Sequence, residues 1–319
     1  MNMKLFASLI SVLLLSACAG MAPNGPDYVR TVSQIPADVE KRLREIGPIS
    51  APEPTRPLYA PLQQSVEPFT NIAVKRDLRY GTAERHRLDV FTPIGASNRP
   101  VLLFMHGGAY VGGDKHISGS PFYSNIGAWA ARNGMVGVNM TYRLAPQAKW
   151  PAAQEDIGNA IAWVRSNAAV HGGDPNRIYL MGHSAGASHV SNYLSHSQFH
   201  SAAGPGVVGA IIVSGFYDYE ILNATSTFFQ YHGNDKAKYV QHSPLPGLIA
   251  SRVPMLFAVA QFDTPDFVQQ AELLRKGFCN AGRCQRIVML TGHSHMSEIY
   301  SINTADTKLS NEILAFIKP

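Results

Sequence analysis

Eight short apolar runs recur along the 319-residue chain, at Ile72–Val74, Arg87–Phe91, Val101–Met105, Met135–Met140, Arg177–Met181, Val207–Val213, Met255–Ala260 and Arg286–Leu290. Stretches of helical patterning stand among them at Pro151–Ala168, Ser184–His196, Pro265–Phe278 and Ala305–Ile317. Unbroken apolar runs bounded by turns suit strands buried on both faces, the environment of a parallel sheet covered by helices. The alternation therefore predicts a doubly wound α/β domain with a mostly parallel sheet. A chain of about 300 residues can bury roughly three quarters of its unfolded surface, so one large core is within reach. With 45% hydrophobic and 15% charged residues, a disordered or coiled-coil chain is excluded. Lys and Arg number 27 against 22 Asp and Glu, a net +5 scattered without a basic run, so no nucleic-acid partner is predicted.

Chemistry concentrates at strand ends. Tyr179-Leu180-Met181-Gly182-His183-Ser184-Ala185-Gly186 runs from an apolar strand through G-x-S-x-G into a helical stretch. The two glycines permit a sharp strand-to-helix turn, which lifts the Ser184 hydroxyl out of the sheet and points a helix N-terminus at it. This is the pattern of a nucleophile elbow. A second strand ends in His106-Gly107-Gly108-Ala109-Tyr110. Backbone without side chains can bring its N–H groups close to the oxygen that gains charge during acyl transfer. Gly107 and Gly108 are the natural donors, with the Ala185 N–H as a third, while His106 is expected to support the loop. No H-E-x-x-H pattern or Cys/His cluster at metal spacing is present, and the pairs Gly112-Gly113 and Gly172-Gly173 form no phosphate fingerprint. Neither a metal nor a nucleotide cofactor is predicted.

With these motifs stand Tyr142-Arg143-Leu144-Ala145-Pro146, Trp150-Pro151-Ala152-Ala153 and Asp156, then Ser214-Gly215-Phe216-Tyr217-Asp218 and Ser243-Pro244-Leu245. As a set over roughly residues 80–319 they resemble α/β-hydrolase esterases of the hormone-sensitive-lipase and kynurenine-formamidase-like groups. The departure is Ala109, which stands where the lipase-type motif has a third glycine. The resemblance implies an α/β-hydrolase fold with a Ser, Asp, His order, each residue after a strand. Asp263 sits nearest the end of its strand and matches the family acid; Asp266 suits the first turn of the following helix, where the dipole favours a carboxylate. In Thr291-Gly292-His293-Ser294-His295, His295 aligns with the family's base, leaving His293 as a loop residue. The implied chemistry is two-step hydrolysis of short acyl or aryl esters through Ser184, His295 and Asp263. An amidase or formamidase on the same triad is the alternative, and a non-catalytic binding lipoprotein is a third reading. Residues 216–250 carry Phe216, Tyr217, Tyr219, Phe228, Phe229 and Tyr231 and are expected to form a small cap over the acyl site.

The N-terminus adds a compartment. Lys4, an apolar run from Leu5 to Leu15 and small residues after it make up a secretory signal. Leu15-Ser16-Ala17-Cys18 resembles the lipobox of bacterial lipoproteins, which implies lipid attachment at Cys18, and Ala19 after it favours an outer-membrane destination in the cell envelope. Nine prolines between Cys18 and Pro68 give residues 19–68 the composition of an extended tether, interrupted by one helix at Ala37–Ile46, with a lid as the alternative. The expected organisation is a signal over 1–18, a tether over 19–68 and a catalytic domain over 69–319. In an oxidising compartment Cys279 and Cys284 can close a disulfide.

Overall fold

The computed structural model describes residues 28–30 and 34–317. The signal and Cys18 lie outside the described residues. Within them, one sheet contains nine strands: β1 (Tyr28–Arg30), β2 (Ile72–Arg79), β3 (Arg87–Pro93), β4 (Arg99–Met105), β5 (Val136–Met140), β6 (Gly173–His183), β7 (Gly209–Val213), β8 (Met255–Phe262) and β9 (Ile287–Ser294). Their spatial order is β1-β9-β8-β7-β6-β4-β5-β3-β2. All neighbours pair in parallel except β3, which runs antiparallel to both β5 and β2. The expected α/β architecture is the observed one.

Each central strand divides its side chains between two cores, as the two-residue period of a strand requires. On β4, Val101, Leu103 and Met105 enter one core while Leu102 and Phe104 enter the other. The same split separates Ile287 and Met289 from Val288 and Leu290 on β9. Helices cover both faces. In chain order they are α1 (Ala37–Ile46), α2 (Arg56–Tyr59), α3 (Ser124–Arg132), α4 (Ala152–Asn167), α5 (Ala185–Ser195), α6 (Ser226–His232), α7 (Tyr239–His242), α8 (Leu245–Ala250), α9 (Pro265–Asn280), α10 (Ser297–Tyr300) and α11 (Lys308–Phe316). Helices α4, α5, α8 and α9 pack in the first core, and α1, α3 and α11 in the second.

Two expectations need correction. Residues 34–68 are not an extended tether, because Val39 and Leu43 of α1 and Tyr59 of α2 are buried in the second core with Leu290 and Tyr300. The prolines punctuate a packed segment, and the amphipathic face of α1 supplies the apolar stripe that holds it down. Upstream, β1 pairs in parallel with β9. The second correction concerns residues 216–250. Tyr217, Tyr219, Phe228 and Tyr231 are buried in the first core, where Tyr231 stacks on Tyr110 at 5.4 Å and contacts the His189 ring at 4.8 Å. They are core aromatics and not a cover for the serine. Cys279 and Cys284, at the end of α9, form a disulfide.

Candidate active site

Four loops, at the C-terminal ends of β4, β6, β8 and β9, carry the site. That is the end of an open α/β sheet where backbone groups are free to meet a ligand. Strand β6 ends at His183 and α5 begins at Ala185, leaving Ser184 between them at φ 57°, ψ −125°. A positive φ is costly for a residue with a Cβ and persists only where its surroundings enforce it. They do so here by crowding: a Cβ on Gly186 would lie 2.3 Å from the Met105 carbonyl oxygen, so the elbow and the end of β4 are in backbone contact. The Ser184 N–H donates to the Val213 carbonyl at 3.0 Å, tying the turn to β7.

Asp263 follows the end of β8 and His295 the end of β9. His295 Nε2 is 2.8 Å from Ser184 Oγ, and His295 Nδ1 is 2.9 Å from Asp263 Oδ1. A carboxylate only accepts, so the imidazole proton resides on Nδ1 and the Nε2 lone pair faces the serine hydroxyl. That is the tautomer a general base needs. Asp263 is 3% exposed and accepts two further hydrogen bonds, from Ser214 Oγ at 2.6 Å and from the Thr264 N–H at 2.9 Å. The ring of His295 is covered on one face by a stack: Phe267 lies on it at 4.4 Å and Phe216 lies on Phe267 at 4.3 Å. Asp266 lies in the first turn of α9, and His293 contacts Asp306 at 3.0 Å and Ser297 at 3.2 Å, so neither joins the relay.

Gly107 and Gly108 line the cavity onto which Ser184 opens. A Cβ on Gly107 would lie 2.9 Å from Ser184 Cβ, so only glycine allows this backbone to come so near. His106 is fully buried, and burial pushes its pKa down to about 3. It is therefore neutral, and its Nδ1 donates to the Gly107 carbonyl at 2.6 Å while Tyr142 Oη donates to the His106 carbonyl at 3.0 Å. The departure at Ala109 is absorbed by strain: Ala109 sits at φ 49° and Tyr110 at φ 70°. Ala185 begins α5, adjacent to the serine, and its N–H belongs to the unpaired first turn.

Sequence reasoning missed the residues behind the relay. Ser214 follows β7 just as Ser184 follows β6, a strand-end position that was the available signal. His183, which fills the variable place in G-x-S-x-G, donates from Nε2 to the His295 carbonyl at 2.9 Å and is 3.3 Å from Glu298 Oε1. Glu298 is fully buried; burial first, and then the charge of Asp263, push its carboxyl well above the usual carboxylate range. An acid whose folded-state pKa is raised favours folding at low pH and loses that advantage as pH rises past the unfolded value of about 4.3. Glu298→Gln removes the ionisation, so the variant should gain melting temperature relative to the wild type between pH 5 and pH 8. The limiting slope is about 1.4 kcal/mol per pH unit. A parallel pair of melting curves across that range would show that Glu298 is ionised in the folded protein.

The cavity at Ser184 has a volume of about 530 Å³ and is lined by Ser50, Ala51, Pro52 and Arg56 from the N-terminal segment, with Ile117, Tyr123, Met296 and Tyr300. No residue of 216–250 lines it. The site thus opens between the strand-end loops and the segment read from the sequence as a tether. The fold agrees with a solved structure: esterase B of Lactobacillus rhamnosis superposes with a TM-score of 0.67 at 17% identity, covering 88% of this chain and 94% of that one. The chain has the α/β-hydrolase fold. Residues 88–204 of this α/β-hydrolase match the BD-FAE family model, a stretch holding Gly107, Gly108 and Ser184 but not Asp263 or His295. Isoprenylcysteine alpha-carbonyl methylesterase of Arabidopsis thaliana is 36% identical over 127 residues, 40% of this chain and 29% of the relative. Kynurenine formamidase of Danio rerio is 27% identical over 252 residues, covering 76% of this chain and 81% of the relative. The α/β-hydrolase therefore spans less than a third of the length of the methylesterase it matches.

Proposed function

We propose that this α/β-hydrolase is a serine carboxylesterase for short-chain acyl or aryl esters. The observation that carries the reading is the hydrogen-bonded line from Ser184 Oγ to His295 to Asp263 at 2.8 and 2.9 Å, opening on a cavity bordered by Gly107 and Gly108. In the proposed reaction His295 Nε2 takes the serine proton as Oγ attacks the ester carbonyl, and the charged oxygen is met by the N–H groups of Gly107, Gly108 and Ala185. The tetrahedral centre collapses, the proton held by His295 passes to the departing alcohol, and an acyl-serine remains. Water repeats the sequence and releases the acid. Asp263 holds the imidazole in register and balances its positive charge in both halves.

The cavity volume of about 530 Å³ suits a small ester and supports short over long acyl chains. The likeness to kynurenine formamidase over three quarters of the chain favours a second reading, cleavage of an aryl formamide by the same residues. Both pass through the same tetrahedral oxyanion, so substrates must separate them. The full-length protein in detergent, assayed with p-nitrophenyl acetate, butyrate and octanoate beside formanilide, should turn over the two short esters fastest. Preference for formanilide would establish the formamidase. Absence of turnover on all four, together with no mass increase at Ser184 after a fluorophosphonate, would remove the hydrolase reading altogether.

A further inference from the structure

We infer that the substrate carries a second, negatively charged group, a carboxylate on the acyl or alcohol portion, and that Arg56 receives it. This deepens the esterase reading and rests on it. Arg56 lines the same cavity as Ser184, Gly107 and His295. It is contributed by the N-terminal segment, fixed there by the burial of Thr55 and Tyr59 on either side. Among the described residues its guanidinium forms no ion pair, and its Nε is buried without a hydrogen-bond acceptor. Its identified side-chain neighbour is the Tyr300 hydroxyl, a neutral group that also faces Tyr123.

A guanidinium in a concave, half-dry site without a counter-charge is held at a cost that an anion would offset. Its planar fork matches a carboxylate in particular. The carboxylates nearby do not fill that role. Asp114, which also lines the cavity, contacts Arg85 Nη1 at 3.7 Å and accepts the His116 N–H at 3.3 Å, while Glu53, whose charge is felt at Tyr300, is exposed to solvent and forms no ion pair with Arg56. The cavity therefore pairs a nucleophile with a cation that no carboxylate among the described residues contacts. An ester bearing a carboxylate is the ligand that uses both.

The test compares matched esters on full-length wild type, Arg56→Ala, Arg56→Gln and Arg56→Lys. The acyl-side pair is the p-nitrophenyl monoester of glutaric acid against p-nitrophenyl valerate, and the alcohol-side pair is 4-acetoxybenzoate against 4-acetoxybenzamide. Loss of one charge-assisted contact should lower kcat/KM for the charged member of at least one pair by about 10- to 100-fold in the Ala and Gln variants, with the neutral member nearly unchanged and Lys intermediate. Equal losses on charged and neutral members of both pairs, or no loss on either, would overturn the inference. Calorimetric binding of glutarate and 4-hydroxybenzoate reads the contact without turnover: binding by wild type that Arg56→Gln abolishes supports it. Absence of binding of both acids to a folded wild type counts against it. If no ester is hydrolysed yet an acid binds through Arg56, the esterase reading fails and the anion site stands.

Discussion

Ser184→Ala should reduce turnover of p-nitrophenyl butyrate by about 10⁴- to 10⁶-fold, because nucleophile and base act as one unit and little is left once either is removed. The fold should not notice. Ser184 Oγ contributes one hydrogen bond, to His295 Nε2, so the change in stability is about 1 kcal/mol and the melting temperature should stay within about 4 °C. The strained backbone at φ 57° is inherited by alanine unchanged, since the strain comes from the Cβ and not the hydroxyl. Residual activity above a hundredth of wild type in a folded Ser184→Ala protein would mean that another group attacks the ester.

The second large effect concerns the chain before the catalytic loops. A protein beginning at Phe69 should fail to accumulate in folded, soluble form, because removal of α1 and α2 uncovers the apolar surface now under Val39, Leu43 and Tyr59. The graded version is Leu43→Ala. Leu43 is fully buried, and such truncations cost about 2–5 kcal/mol. A segment serving only as a spacer would show no change in melting temperature for Leu43→Ala and full activity for the truncated chain. Either result would return residues 34–68 to the role of a tether.

What could be read from the residues followed their local context. Ser184, Asp263 and His295 each follow an apolar run; the elbow pattern nominated Ser184, and the family resemblance favoured Asp263 over Asp266 and His295 over His293. Proximity of Ser214 to Asp263, or of His183 to the His295 carbonyl, depends on which strands become neighbours, and no local pattern encodes that. Helix α3 was missed because it is short: Ser124–Arg132 makes only about two and a half turns, too little repeat to stand out. The aromatics of 216–250 were misplaced because composition does not tell a cavity wall from an interior: Tyr219 and Phe228 face each other and His232, and Phe228 also faces Tyr110, within the core. Proline content likewise led residues 19–68 to be read as an extended tether around one helix, whereas 34–68 are packed on the core. Proline constrains the backbone, whereas attachment is decided by what side chains such as Leu43 bury.

The two margins of the sheet bear on how this protein behaves when crowded. An open strand margin recruits other chains through its unpaired N–H and C=O groups. On one side, among the described residues, β1 covers β9 by parallel pairing over Tyr28 to Arg30. On the other side β2 is eight residues long, but its pairing slips between Lys75 and Leu78, and Asp77 adopts φ 57°. That kink, beside Lys75, Arg76 and Arg79, breaks the flat, uncharged ribbon that growing β-aggregates extend. The irregularity of β2 thus works against fibrillar self-association at that margin, independently of the site.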